Sequence, residues 1–209
     1  MGGTSPLLKF SFKKGEEVKV EQSSLLKNYM VMSGSFNPVH TGHFSLARIA
    51  QLKASQRNGI MFEIALKNAD KGVLGDPEKI SDRILLIEQL QKDYSDDVTV
   101  VLSHEPLFLQ KVTYLSQCSM VLGHDTYLRL LDTKYYNHSQ EKLKEALATF
   151  KQQGTTFVVG GRICADHVFH TGEVQMIPEE YREMFSFLSE KEFRQDISST
   201  EIRAKTNKF

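Results

Sequence analysis

His40 and His43 stand three residues apart at the end of GSFNPVHTGH, Gly34 to His43, which follows the apolar run Tyr29-Met30-Val31-Met32 and opens a helical pattern. Where a strand passes into a helix, the first N–H groups of the helix lack backbone partners and lie at the positive end of its dipole. An anion bound there gains hydrogen bonds and field together. Gly34 permits close approach to the backbone, Asn37-Pro38 forces a turn, and Gly42 leaves space between two imidazoles that share one side of the first helical turn. The chemistry on offer is the holding of phosphate. Two other readings stand beside it. HxxH is half of a zinc site, although no Cys, His or Asp is spaced to complete the set. A stretch of Gly, Asn and Pro is also an ordinary turn, with packed or solvated histidines.

Other candidates sit at the ends of other elements. In DISSTEIR, Asp196 to Arg203, Ser198 and Glu201 form the capping box that starts the last helix, and capping alone accounts for those residue types. Lys71, with Asn68 and Asp70, follows the second strand of the alternating pattern, and by itself reads as a solvated surface lysine. Arg83 lies early in the next helix, where a salt-bridged helix residue is the other reading. Gly123-His124-Asp125 follows the fourth strand and would also serve to cap a helix. FVVGGR places Arg162 just past the fifth strand.

Two of these segments carry a family resemblance. GSFNPVHTGH resembles the GxFxPxHxGH motif of the nucleotidyltransferase superfamily, enzymes that move a nucleoside monophosphate from a triphosphate onto a phosphate-bearing acceptor. ISSTEIR resembles the ISSTxIR partner motif of its adenylyltransferase branch. From about residue 29 to 206 the chain is similar to the nicotinamide or nicotinate mononucleotide adenylyltransferases. The resemblance implies that Gly34, Ser35, Phe36, Gly42, Gly123, Asp125, Ser198, Ser199 and Thr200 bind ATP. It implies that His40, His43 and Arg203 are catalytic, acting on the triphosphate and the departing pyrophosphate. It implies that Asn68, Asp70, Lys71, Arg83 and Arg162 hold the acceptor. Mg²⁺ would accompany ATP as its substrate complex without a protein carboxylate cage. Asn37 and the ISST ending set the chain apart from cytidylyltransferases and rank ATP above CTP. The family usually places a Trp soon after GxD to stack a pyridine ring; this chain has none, so Tyr127, Tyr135 or Tyr136 would take that place. A phosphopantetheine-type adenylyltransferase and an ATP-binding or ATPase regulatory module remain alternatives.

The elements that must position these residues follow from composition and periodicity. A chain of 209 residues can bury a full core in one α/β domain. Its 26 Lys and Arg balance 26 Asp and Glu, so overall charge favours neither nucleic acid nor an anionic membrane. Cys118 and Cys164 form no CxxC, and no apolar stretch approaches the roughly 20 residues of a membrane helix. The expected setting is a reducing interior, cytoplasmic or nuclear, and a homo-oligomer is compatible with the sequence. Residues 1–28 read as an arm or hairpin and 29–209 as the nucleotidyltransferase domain. Strands are expected at 29–33, 59–66, 98–102, 120–122 and 156–159. Helices are expected at about 42–54, 79–93 and 107–117, with a helical stretch from about 123 to 151. Such alternation predicts a doubly wound parallel sheet of Rossmann-like form, with ligands beyond the carboxyl ends of its strands.

Overall fold

The computed structural model describes residues 7–13, 16–54, 58–68, 72–73, 77–94, 97–164, 167–195 and 197–206. Their centre is an eight-stranded sheet. In chain order its strands are β1 (Leu7–Phe12), β2 (Lys19–Ser23), β3 (Met30–Gly34), β4 (Ile60–Ala65), β5 (Val98–Ser103), β6 (Ser119–Gly123), β7 (Thr156–Gly160) and β8 (Phe185–Leu188). They lie in the order β8-β7-β6-β3-β4-β5-β1-β2. From β8 to β5 every pairing is parallel, whereas β1 runs antiparallel to β5 and to β2. The parallel part has the doubly wound order 3-2-1-4-5-6, and its winding reverses between β3 and β6. The helices are α1 (Thr41–Lys53), α2 (Pro77–Tyr94), α3 (Phe108–Lys111), α4 (His124–Leu131), α5 (Gln140–Gln152) and α6 (Ser199–Thr206). Among the described residues, no helix is long and apolar enough to cross a membrane.

Alternation along the strands feeds two cores. Met30 and Met32, with Ile60, Phe62 and Ile64, pack against Phe44, Ala47 and Ala50 of α1 and Ile87 of α2. Val31, Met61 and Val101 point the other way, towards Leu130 of α4 and Leu143, Leu147 and Phe150 of α5. Leu143, Ala146, Leu147 and Phe150 follow the i, i+3, i+4, i+7 spacing of one helical face, and Ser139 caps that helix by accepting the Lys142 N–H. A sheet buried on both faces explains why its parallel strands are near-continuous apolar runs.

The structure departs from the periodicity in four places. The helix expected at 107–117 stops after Lys111, because the carbonyl of Tyr114 accepts the N–H of Leu26 and draws Leu115–Ser116 into a short parallel bridge with Leu26–Lys27. The helical stretch to 151 is divided. Asp132 accepts the Lys134 N–H and opens a 3₁₀ turn over Thr133–Tyr136, after which Asn137 and His138 take left-handed backbone angles. β8 was not expected; its four residues FSFL are too short a pattern to stand out beside longer neighbours. The hairpin of β1 and β2 is also no free arm, since β1 pairs with β5 along its length.

Gly161 sits where β7 leaves the sheet for the short ladder of Arg162–Ile163 with Phe169–His170. A Cβ there would lie 2.6 Å from the backbone oxygen of His170. Gly161→Ala is therefore expected to lower stability by about 1–3 kcal/mol, measured by urea unfolding; an unchanged midpoint would show that this ladder yields freely.

Candidate active site

Reversal of the winding leaves the carboxyl ends of β3 and β6, at Gly34 and Gly123, uncovered by any crossover helix. A cleft of about 770 Å³ opens there, bordered by Gly34, His40, His43, Gly123, Ser198 and Ser199 among others. A smaller cavity of about 300 Å³ lies on the α3 side, bordered by Lys67, Lys111, Arg129, Tyr135 and Tyr136. The two share Ser33, Gly34, Ser35 and Thr126. A Cβ built at Gly123 would meet nothing within 4 Å, so the end of β6 faces open space.

The first motif is held from beneath. Phe36 is buried at a left-handed φ of 45° and meets His43 and Phe62 edge-on, each at 5.3 Å between centroids. It braces the imidazole from below and also borders the larger cleft. His43 accepts the backbone N–H of His40 on Nδ1 at 3.1 Å. In the neutral ring the proton must then sit on Nε2, leaving that nitrogen a donor. Burial and the adjacent His40, whose ring lies 3.8 Å away between centroids, hold the His43 pKa down to about 3. Burial likewise lowers His40 against the pull of Glu201. Gly42 does not leave open space between the two rings. A Cβ there would lie 3.0 Å from His40 Nδ1 and 3.1 Å from Ile197, so a side chain at this position would have to push those two side chains aside.

The second motif closes on the first. Ser199 Oγ donates to the carbonyl of Pro38 at 2.8 Å, and Arg203 donates to the carbonyl of Asn37. Ser198 and Glu201 form the reciprocal capping box, and Thr200 Oγ1 accepts from Arg203 at 3.1 Å. All three hydroxyls expected at phosphate are thus engaged within the protein. What the helix start still offers are the backbone N–H groups of Ser199 and Thr200, since that of Glu201 is taken by Ser198. Arg203 fastens α6 to the Asn37-Pro38 turn, and its guanidinium has more donors than these two bonds use.

The remaining candidates divide. Asp125 and Arg162 both border the larger cleft, where they pair with each other at 2.5 Å, and neither borders the smaller cavity. Arg83 is buried, its Nη1 has no hydrogen-bond partner among the described residues, and it borders neither cavity. Asp70 and Lys71 lie outside the described residues, as does the side chain of Asn68. Tyr127 is wholly buried and donates to the carbonyl of Glu173, whereas Tyr135 and Tyr136 reach the smaller cavity. Sequence reasoning missed His124 and Glu201 in the cleft and Lys67, Lys111 and Arg129 in the smaller cavity. Glu201 carried a signal, as the acidic end of the capping box; the others have no local pattern.

With this geometry in view, known proteins give a consistent picture. A family model described as cytidylyltransferase-like matches residues 31–205. The chain belongs to the cytidylyltransferase-like family. It is also 30% identical over 131 residues to a Schizosaccharomyces pombe protein named "putative nicotinamide mononucleotide adenylyltransferase", covering 59% of this chain and 49% of that protein. The chain therefore spans about half the length of this curated relative. Within the cytidylyltransferase-like span fall both cleft-forming segments, GSFNPVHTGH in full and ISSTEIR in full.

The neutral, buried state of His43 links to stability. Its folded pKa of about 3 lies below the ordinary 6.5, so the unfolded chain takes up the proton first. The contribution is complete above about pH 6.5 and is lost as pH falls towards about 3. His43→Gln should flatten the decline of Tm between about pH 6.5 and about pH 4. A variant slope equal to that of the unaltered protein would show that His43 is not held neutral.

Proposed function

We propose that the chain is an adenylyltransferase that moves AMP from ATP to a phosphate-bearing acceptor, nicotinamide or nicotinate mononucleotide, and releases pyrophosphate. The observation that carries this reading is the meeting of two cavities at Ser33-Gly34-Ser35 and Thr126, beside the His40–His43 turn. Transfer between two phosphate-bearing molecules requires two sites with one common wall. The name of the fission yeast relative supports the choice of acceptor, and so do Tyr135 and Tyr136, which would stack a pyridine ring where the family has Trp. Residues 29–209 would carry the activity.

In this reading ATP lies in the larger cleft, its α-phosphate at Gly34 and the start of α1 and its outer phosphates at the first turn of α6. Ser35 and Gly123 would approach it by backbone, and Asp125 would meet the nucleoside after parting from Arg162. The acceptor lies in the smaller cavity, with Lys67 and Arg129 as its cations and Lys71, Asn68 and Asp70 following β4. An acceptor phosphate oxygen attacks the α-phosphorus in line, the bond to the pyrophosphate oxygen breaks, and the electron pair leaves with pyrophosphate. Catalysis is positioning and preorganised hydrogen bonding, with neutral His43 donating from Nε2 and Arg203 facing the charge that builds on the leaving group. The carboxylates that border the cleft, Asp125 and Glu201, are engaged by Arg162 and by the Ser198 N–H, so Mg²⁺ would arrive on ATP and neutralise charge there.

The test is incubation with ATP, Mg²⁺ and a panel of nicotinamide mononucleotide, nicotinate mononucleotide and phosphopantetheine, with detection of pyrophosphate and adenylated product. Pyrophosphate that depends on a pyridine mononucleotide is expected; ATP hydrolysis or binding without transfer to any acceptor would overturn the reading. His43→Ala should reduce kcat by about 10²–10³ with a smaller change in ATP KM. Arg203→Ala is expected to raise the barrier by about 2–4 kcal/mol and Arg203→Lys to restore part of it, since a point charge lacks the planar fork. A folded Arg203→Ala protein with unchanged kcat would leave Arg203 as a clamp of α6 alone.

A further inference from the structure

Glu63 is a carboxylate inside the buried strand β4, with no exposure to solvent. Its two oxygens receive donors from four other segments. Oε2 accepts from Ser33 Oγ at 2.5 Å and from Lys111 Nζ at 2.6 Å. Oε1 accepts from Ser103 Oγ and from the Tyr114 hydroxyl, the latter at 3.4 Å. Burial and the Glu63 charge push the Tyr114 phenol far up, which keeps it a donor. Ser33 and Ser103 stand near the carboxyl ends of β3 and β5, Lys111 ends α3, and Tyr114 lies in the turn beyond it.

Stability does not explain such a pair. The desolvation of two ions offsets their attraction, and apolar side chains of the same volume commonly stabilise as well or better. Placement is more telling. Ser33, Glu63 and Ser103 continue, on the same sheet face, the apolar row of Val31, Met61 and Val101, and they turn it polar where the cavities begin. Ser33 borders both cavities and Lys111 borders the smaller. α3, which walls the smaller cavity, has four residues, too few to hold its own shape or place.

We propose that Glu63 and Lys111 are positioning residues, a buried ionic clamp that fixes the α3 wall of the smaller cavity against the β3 end common to both, and so sets how the acceptor phosphate approaches the nucleotide. This rests on the smaller cavity being the acceptor site. Apolar contacts between α3 and the sheet would have no preferred register, whereas a carboxylate with directed donors on both oxygens has one geometry.

Lys111→Met alone leaves Glu63 uncompensated and should lower Tm sharply. Adding Glu63→Gln should recover most of that Tm while the acceptor KM stays raised about tenfold or more and the ATP KM stays within about twofold. A double variant with both Tm and kinetics of the unaltered protein would overturn the clamp. Ser103→Ala removes one donor from Glu63 without bordering either cavity, so it provides the same test should the double variant not fold. It should raise the acceptor KM severalfold, and an unchanged KM would overturn the proposal. If the unaltered protein transfers AMP to no acceptor, the functional reading fails by itself. Hydrogen exchange of Ser103→Ala then decides the clamp: faster exchange is expected at 107–111 and at 33–36 together, and a change confined to the neighbours of residue 103 would overturn it.

Discussion

The reversal of winding between β3 and β6 is the constraint from which the rest follows. Each parallel strand must be followed by a crossover that covers one face of the sheet, and where consecutive crossovers lie on opposite faces the strand ends between them stay open. That place is fixed by strand order, so Gly34 and Gly123 end at a cleft however the loops around them are written. Both helices that start there, α1 and α4, point the positive ends of their dipoles towards it. Backbone geometry thus suits the cleft to an anion before any side chain is considered.

Side chains then close that opening in two ways. From one side α6, distant in sequence, docks on the Asn37-Pro38 turn through Ser199 and Arg203, so that two helix starts face one space. From the other, the Glu63 network ties β3, β5 and α3 together beneath the point where both cavities meet. Both devices use polar groups to fix geometry, and both lie where the apolar cores end.

Electrostatics in the cleft depends on donors more than on net charge. His43 is held neutral by burial and by His40, and its Nδ1 is taken by a backbone N–H, which orients Nε2. Arg162 is balanced by Asp125, and Arg203 lies against a backbone carbonyl. A site built in this way carries little excess positive charge at rest. In the proposed function it would recognise an anion by directed hydrogen bonds, which distinguish phosphate from other anions better than a cluster of lysines would.

The sequence by itself determined the alternation of strands and helices, the strand-to-helix turn of GSFNPVHTGH and the capping box of DISSTEIR, because each depends on neighbours within a few residues along the chain. β3 and β5 follow from short apolar runs, and α1 and α5 from helical patterns and local turn and cap residues. Tertiary structure decided what those side chains meet. That Gly42 packs close to Ile197, that Phe36 braces His43 from below, that Arg162 faces Asp125 and that Glu63 gathers Ser33, Ser103, Lys111 and Tyr114 are all facts of the folded chain. Local pattern fixes which way a residue points from its own strand or helix, but only packing of the whole sheet fixes what stands opposite.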